Sequence, residues 1–135
     1  MITTRLKMIF GLSIPLFILH GIEEFATHFY DIDAHDQAIF GLLSGLSNHG
    51  ATFVTFQVMF WLLLIISFLL LSGPKWQFNV LALAGFIYLY ELHHIYKAIM
   101  VGGYYPGLVT ALLFPIVTFF FWREWLPAFW RATAK

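Results

Sequence analysis

Apolar residues run through this chain in four long stretches, at roughly 8–30, 50–71, 78–100 and 106–122, parted by short polar breaks. Each is about 17–23 residues, the length that carries a helix across roughly 30 Å of hydrocarbon. A membrane strand would cross in about ten residues and alternate in polarity, so the pattern predicts helices rather than a barrel. The breaks hold residues that stop and restart helices. Asp31, Asp33 and Asp36 close the first stretch, and Ser47 or Asn48 is placed to cap the second helix. Ser72-Gly73-Pro74 turns the chain into the third, and Gly102-Gly103 ends it. Pro106 suits the first turn of the fourth helix, where its missing N–H costs nothing. Pro15 and Pro115 fall inside stretches and are expected to kink them.

Two shorter segments complete the layout. Residues 38–46 are apolar but too few to span, and read as a short re-entrant or interfacial helix in which Gly41 and Gly45 form a small-xxx-small pair. The tail, 123–135, mixes Trp125, Phe129 and Trp130 with Arg131 and Lys135, as an interfacial anchor does. Arg5 and Lys7 before an apolar run resemble a signal peptide. No small-x-small cleavage site follows, and the apolar character resumes past the charges, so a retained first helix is expected.

The expected fold is thus all-α and integral to a membrane: one domain, 1–135, of four transmembrane helices in a bundle. Composition agrees. The 135 residues are 61% hydrophobic and only 10% charged, against about 25% charged in a soluble domain. Mean hydropathy is +0.83. The formal net charge is zero and basic stripes are absent, which argues against nucleic acid as a partner. Having no cysteine, the chain has no disulfide framework, no thiolate metal site and no cysteine nucleophile. With four spans both termini share a side. That side carries Arg5, Lys7, Lys75, Arg123, Arg131 and Lys135, and the other carries only Lys97. The positive-inside rule puts both termini in the cytoplasm, in the cell's inner or plasma membrane. Trp76, Trp122, Trp125 and Trp130 would form an aromatic belt near the same face.

Against this apolar background, His20, Glu23, Glu24 and His28 stand in the first stretch and Glu91, His93 and His94 in the third. A charged group among lipid-facing side chains costs at least about 2.5–3.5 kcal/mol, so such residues face a bundle interior. In a four-span topology both clusters fall in the outer half of the bundle, as do His49 at the start of the second helix and Tyr104 and Tyr105 before the fourth. At 100° per residue, Ser13, Leu16, His20, Glu23, Glu24, Thr27 and His28 share a stripe about 140° wide. Tyr88, Glu91 and His94 make a second row, at i, i+3 and i+6, which favours His94 over His93 as the inward imidazole. Glu91-x-x-His94 has the spacing by which one helical turn offers Glu and His to one metal in di-iron carboxylate bundles; the first helix reads His20-x-x-Glu23-Glu24 instead, so the match is partial.

Converging carboxylates repel one another and cannot all stay charged unaided. A divalent cation would neutralise them and take the imidazoles as further ligands. Mixed N and O donors suit Fe, Mn or Zn. The expected metal set is His20, Glu23, Glu24, Glu91 and His94, with His28 and His49 as outer candidates. Glu23, Glu24 and Glu91 are the candidate catalytic acids or bases. Plainer readings exist for each residue. His20, Glu24 and Glu91 could be a hydrogen-bonded packing network, His28 a solvated interfacial residue, His49 a helix-start residue and Lys97 a snorkelling side chain. His35 beside Asp31, Asp33 and Asp36 reads as a polar loop, and Gln57 as an interhelical hydrogen-bonding group.

At His20-Gly21-Ile22-Glu23-Glu24 the chain resembles the HXXEE family of small membrane proteins. That family's pattern includes a further histidine, which His93 or His94 would supply, and a Tyr-x-Pro-Gly motif, which Tyr104-Tyr105-Pro106-Gly107 matches. The resemblance runs from the first helix to the start of the fourth and implies a shared site without implying a reaction. The residues themselves point to a metal-dependent membrane enzyme. The abundant aromatic residues leave room for an apolar cavity open to lipid, hence a lipid-like or isoprenoid substrate. The alternatives are a metal-free acid/base isomerase, proton or divalent-metal transport through a homo-oligomer, and an inert assembly or sensor subunit.

Overall fold

The computed structural model describes residues 2–34, 37–38, 49–73 and 76–134, and among these every regular element is helical. The short 38–46 segment, with Gly41 and Gly45, lies almost wholly outside the described residues, as do His35, Asp36, Ser47, Asn48, Pro74, Lys75 and Lys135. Helix α1 (Thr4–Ala26) opens on Thr3, whose hydroxyl accepts from the Leu6 N–H at 3.1 Å. It runs unbroken through Pro15 and spans about 34 Å at 1.5 Å per residue. It stops where His28 turns left-handed (φ 56°), and one short turn, α2 (Phe29–Ile32), follows. Helix α3 is His49–Leu70.

The third apolar stretch is two helices, α4 (Gln77–Tyr90) and α5 (His93–Val101). Glu91 and Leu92 between them keep right-handed helical angles, so the break lies in the hydrogen bonds. The Leu92 N–H bonds Leu89 O and the His94 N–H bonds Glu91 O, both tight three-residue steps. The Tyr90 carbonyl instead accepts from His93 Nδ1 at 2.9 Å. An imidazole thus fills the gap in the ladder beside the candidate site. Gly102 in the left-handed region and the Gly103 N–H on Ala98 O end α5 as a Schellman-type cap.

The fourth stretch is also divided, into α6 (Leu108–Ala111) and α7 (Phe114–Thr133). Pro115 in the first turn of α7 explains the division: it has no N–H for the Ala111 carbonyl, and its ring crowds that group. Pro106 precedes α6 rather than entering its first turn. Helix α7 continues through Arg123 and Glu124 to Thr133, so most of the expected interfacial tail is part of the last helix.

Packing radiates from α1, which lies against α3 and α7, while α4 lies against α7; α3 and α4 touch each other little. On α1 the buried side chains include Leu6, Phe10, Ser13, Phe17, His20 and Glu24, spaced alternately three and four apart. Leu81, Tyr88, Phe114 and Phe121 face them in the core. The outer surface is apolar instead of charged: Leu12 and Leu19 on α1, Met59, Leu62 and Leu69 on α3, and Phe86 on α4 are all exposed. Water would penalise such a surface, whereas hydrocarbon accepts it. Helices α1 and α3, and the stretch from Leu108 to Thr133, are each long and apolar enough to cross a membrane. This is the pattern of a membrane protein with its polar side chains turned inward.

Candidate metal centre

The inward stripe of α1 brings a polar ladder into the core. Lowest is Ser13, which donates to Phe10 O and accepts from the Tyr88 hydroxyl, both at 2.7 Å. Two turns further along, His20 and Glu24 meet Glu91 and His94. The His20 and His94 Nε2 atoms stand 3.1 Å apart. Glu91 Oε2 lies 3.0 Å from His20 Nε2 and 3.6 Å from His94 Nε2. Glu24 Oε1 lies 3.2 Å from His94 Nε2 and 3.6 Å from His20 Nε2. All four residues are buried.

The outer edges of the two imidazoles decide what their inner edges can do. His94 Nδ1 lies 2.6 Å from the Pro106 carbonyl, which can only accept, so Nδ1 carries the proton. His20 Nδ1 lies 2.7 Å from Thr110 Oγ1. That hydroxyl gives its proton to Glu23 Oε2 at 2.6 Å, so it accepts from His20 Nδ1. In their neutral forms both rings therefore point an Nε2 lone pair at the same spot, beside two carboxylates. Such a convergence of donors requires a cation between them, a proton or a metal. Oriented imidazoles with a carbonyl or hydroxyl behind them are also how proteins fix metal-binding histidines.

His20, Glu91 and His94 offer donor atoms close enough together to hold one metal ion. Tetrahedral donors about 2.0–2.1 Å from a zinc ion lie roughly 3.3–3.4 Å apart. The three edges of this triangle, 3.0, 3.1 and 3.6 Å, bracket that value. Two histidines and one carboxylate with a further position free are the donor set of hydrolytic zinc and of non-haem iron sites. Glu24 stands beside the triangle, its Oε2 held by Gln57 Nε2 from α3 at 2.8 Å. Gly21 permits this approach, because a Cβ there would fall 2.6 Å from Gln57 Oε1.

Glu23 turns away from the centre. Neighbouring residues on a helix point about 100° apart, so Glu23 and Glu24 diverge. Glu23 closes the N-terminus of α6 by accepting from the Val109 and Thr110 N–H groups at 2.9 and 2.8 Å. It takes a third proton from Thr110 Oγ1 and a fourth from the Tyr104 hydroxyl at 2.9 Å. Burial first, then the bond to Glu23, holds the Tyr104 phenol above its usual pKa, so it remains a donor. Gly107, in the left-handed region at φ 82°, leads into α6; a Cβ on it would fall 2.7 Å from the His94 ring and 2.9 Å from the His20 ring. Each named residue of Tyr104-x-Pro106-Gly107 thus has a physical task toward the two imidazoles. Tyr104 holds Glu23, Pro106 orients His94, and Gly107 leaves room for both rings.

Of the residues expected from sequence, His20, Glu24, Glu91 and His94 come together, and Glu23 supports them from behind. His28 and His49 stand apart on the surface, with their Nδ1 atoms 3.7 and 3.9 Å from opposite oxygens of Asp31. Thr110 and the Pro106 carbonyl were not anticipated. Thr110 could have been noticed as the lone hydroxyl in Leu108–Ala111, but a backbone carbonyl leaves no trace in sequence.

A cavity of about 180 Å³ adjoins the centre, with His20, Glu24 and Glu91 at its polar end and Phe17, Phe53 and Phe56 among its walls. It lies where α3 and α4 fail to close on each other. Compared with known proteins, the chain matches the family model described as "Protein of unknown function with HXXEE motif" over residues 12–121. No curated protein and no solved structure matches it.

Proposed function

The chain belongs to the HXXEE family, and we propose that it is a membrane-embedded metalloenzyme acting on a lipid-like substrate, with His20, Glu91 and His94 as metal ligands. The observation that carries this reading is the meeting of two tautomer-fixed imidazoles and a carboxylate at metal-ligand spacing, next to a cavity with aromatic walls. A bound Fe, Mn or Zn would supply Lewis acidity or redox chemistry. The protein's own part is to hold the donors, exclude water and move a proton. Glu24, steadied by Gln57 and outside the ligand triangle, is the acid/base group. Glu23 is a positioning residue, acting on His20 through Thr110. Entry is lateral, through the cleft between α3 and α4.

In this reading α4 and α5 together make a further crossing, so the bundle has four spans with both termini on the Lys- and Arg-rich cytoplasmic side. The centre then lies in the outer half of the membrane. A metal-free acid/base isomerase is the second reading, favoured by the 3.1 Å between the Nε2 atoms, which a shared proton would also bridge.

The test is a lipid profile by mass spectrometry of membranes making the wild-type chain or Glu24→Gln at equal levels. The expected result is at least one lipid species that changes in abundance with the wild type and stays at the empty-vector level with the variant. Identical profiles across wild type, variant and vector, in membranes with folded protein, would count against an enzyme on membrane lipid.

A further inference from the structure

The far end of the bundle carries another groove, outside the metal centre. Helices α1 and α7 pack antiparallel: Arg5 meets Glu124 at 3.8 Å, and further along α1 the Phe17 ring meets Phe114 with centroids 4.9 Å apart. Between them runs a groove that begins among Arg5, Arg123 and Glu124 and ends near Ser13. From Arg5 to Ser13 is about 12 Å of helix, at 1.5 Å per residue. Met8, Leu12, Ile116 and Phe120 line the length between, and all four are exposed. Ser13 offers nothing to an occupant, since its hydroxyl is already bonded to Phe10 O and Tyr88. The groove is therefore charged at its mouth and apolar along its length.

The position of the mouth limits the occupant. Arg5 stands one residue inside the start of α1, a helix long and apolar enough to cross a membrane. Basic side chains at such an end lie at headgroup level, with the walls beyond them in hydrocarbon. A free phosphate or an acidic peptide would meet the mouth and leave the walls uncovered. A phospholipid meets both, with its phosphate at the mouth and an acyl chain along the walls. The charges select among phospholipids. Glu124 already accepts from the Thr3 hydroxyl at 3.4 Å and faces Arg5. Arg123 has no acidic partner among the described residues. Two cations and one anion leave a single positive charge, which complements a phosphodiester whose headgroup adds no ammonium.

We infer that the groove between α1 and α7 holds an anionic phospholipid, its phosphate between Arg5 and Arg123 and one acyl chain along Leu12 and Phe120. The mouth is about 22 Å from His20 along α1, at 1.5 Å per residue. A lipid held here is thus separate from any substrate of the metal centre and does not depend on a metal.

Native mass spectrometry tests it on the full chain in detergent, titrated with dioleoyl phosphatidylglycerol or dioleoyl phosphatidylcholine. The acyl chains are identical, so any difference comes from the headgroup. Wild type should bind the first molecule of phosphatidylglycerol about fivefold more tightly, the factor that one basic residue at an anionic membrane surface carries. Arg123→Gln should remove most of that preference. Arg131→Gln, which takes the same charge from α7 outside the groove, should leave it intact. Glu124→Gln, which removes the opposing charge, should raise it. Leu12→Trp, which narrows the groove at an exposed position, should weaken both lipids and keep the preference. Equal binding of the two lipids by wild type would overturn the inference. So would equal losses in Arg123→Gln and Arg131→Gln, which would mean a general attraction to the basic end of the bundle. If Arg123→Gln fails to fold, wild-type binding in both Glu124→Gln and Leu12→Trp would overturn it instead. Tighter binding of dioleoyl phosphatidylethanolamine than of phosphatidylglycerol would do the same, because Glu124 would then be meeting an ammonium.

Discussion

Replacing His94 with alanine is expected to abolish metal binding at the proposed centre. His94 Nε2 stands against His20, Glu24 and Glu91 at once, so its loss removes a ligand and the hinge of the cluster. Altering a group behind a ligand costs about 10–100-fold in metal affinity, so removing the ligand itself should exceed about 100-fold. The comparison is Thr110→Val, which keeps both imidazoles but takes the acceptor from His20 Nδ1 and the hydroxyl from Glu23. It should fall within the 10–100-fold range. Competition with a chelating dye during metal titration reads both. Wild-type affinity in His94→Ala would mean that the metal sits elsewhere.

Gly107→Ala should be nearly as damaging, although it adds only a methyl group. An L-residue in the left-handed region costs roughly 1–2 kcal/mol. The added Cβ would also meet the His94 and His20 rings at 2.7 and 2.9 Å, and these cannot retreat without losing Pro106 O and Thr110. The expected outcome is a lower unfolding temperature in detergent together with weakened metal binding. The surface control Gly103→Ala, where a Cβ would meet nothing within 4 Å, should be near neutral in both. If Gly107→Ala unfolds at the wild-type temperature and binds metal as tightly, the close packing of this loop on the two imidazoles is not important to the site.

Much of this site could be read from residue spacing. His20 and Glu24 lie four apart, and Tyr88, Glu91 and His94 three apart, so each pair or row had to share a helical face. The cost of burying such groups in lipid then required the two faces to meet. What spacing could not supply were the choices between adjacent residues and the tasks of backbone groups. Glu23 and Glu24 are chemically alike and differ by one step of rotation. Only the position of α6, whose free N–H groups lie over Glu23, separates their roles. His93 and His94 pose the same problem, resolved by the Pro106 carbonyl on one and the Tyr90 carbonyl on the other.

The helix breaks divide in the same way. Gly102 announced the end of α5 and Pro115 the break before α7. The step at Glu91–Leu92 has neither proline nor glycine and arises from local hydrogen bonding around His93. The fourth apolar stretch reads as ending at Trp122, yet α7 continues past it, with the Glu124 carboxylate reaching Thr3 at 3.4 Å and Arg5 at 3.8 Å at the start of α1. His28 and His49 belong by composition with the other imidazoles. His28 ends up outside the core because its left-handed turn follows the end of α1, and His49, at the first residue of α3, stays on the surface beside Asp31.

The most direct test of the central claim is X-ray absorption at the metal edge, on protein purified from cells grown with iron, manganese and zinc and first assayed for metal content. About one metal per chain is expected, with the scattering of two imidazoles and the nearest donors at about 2.0–2.2 Å if the metal is zinc. Protein free of metal, or a metal without imidazole ligands, would contradict it, and the two histidines would then share a proton instead.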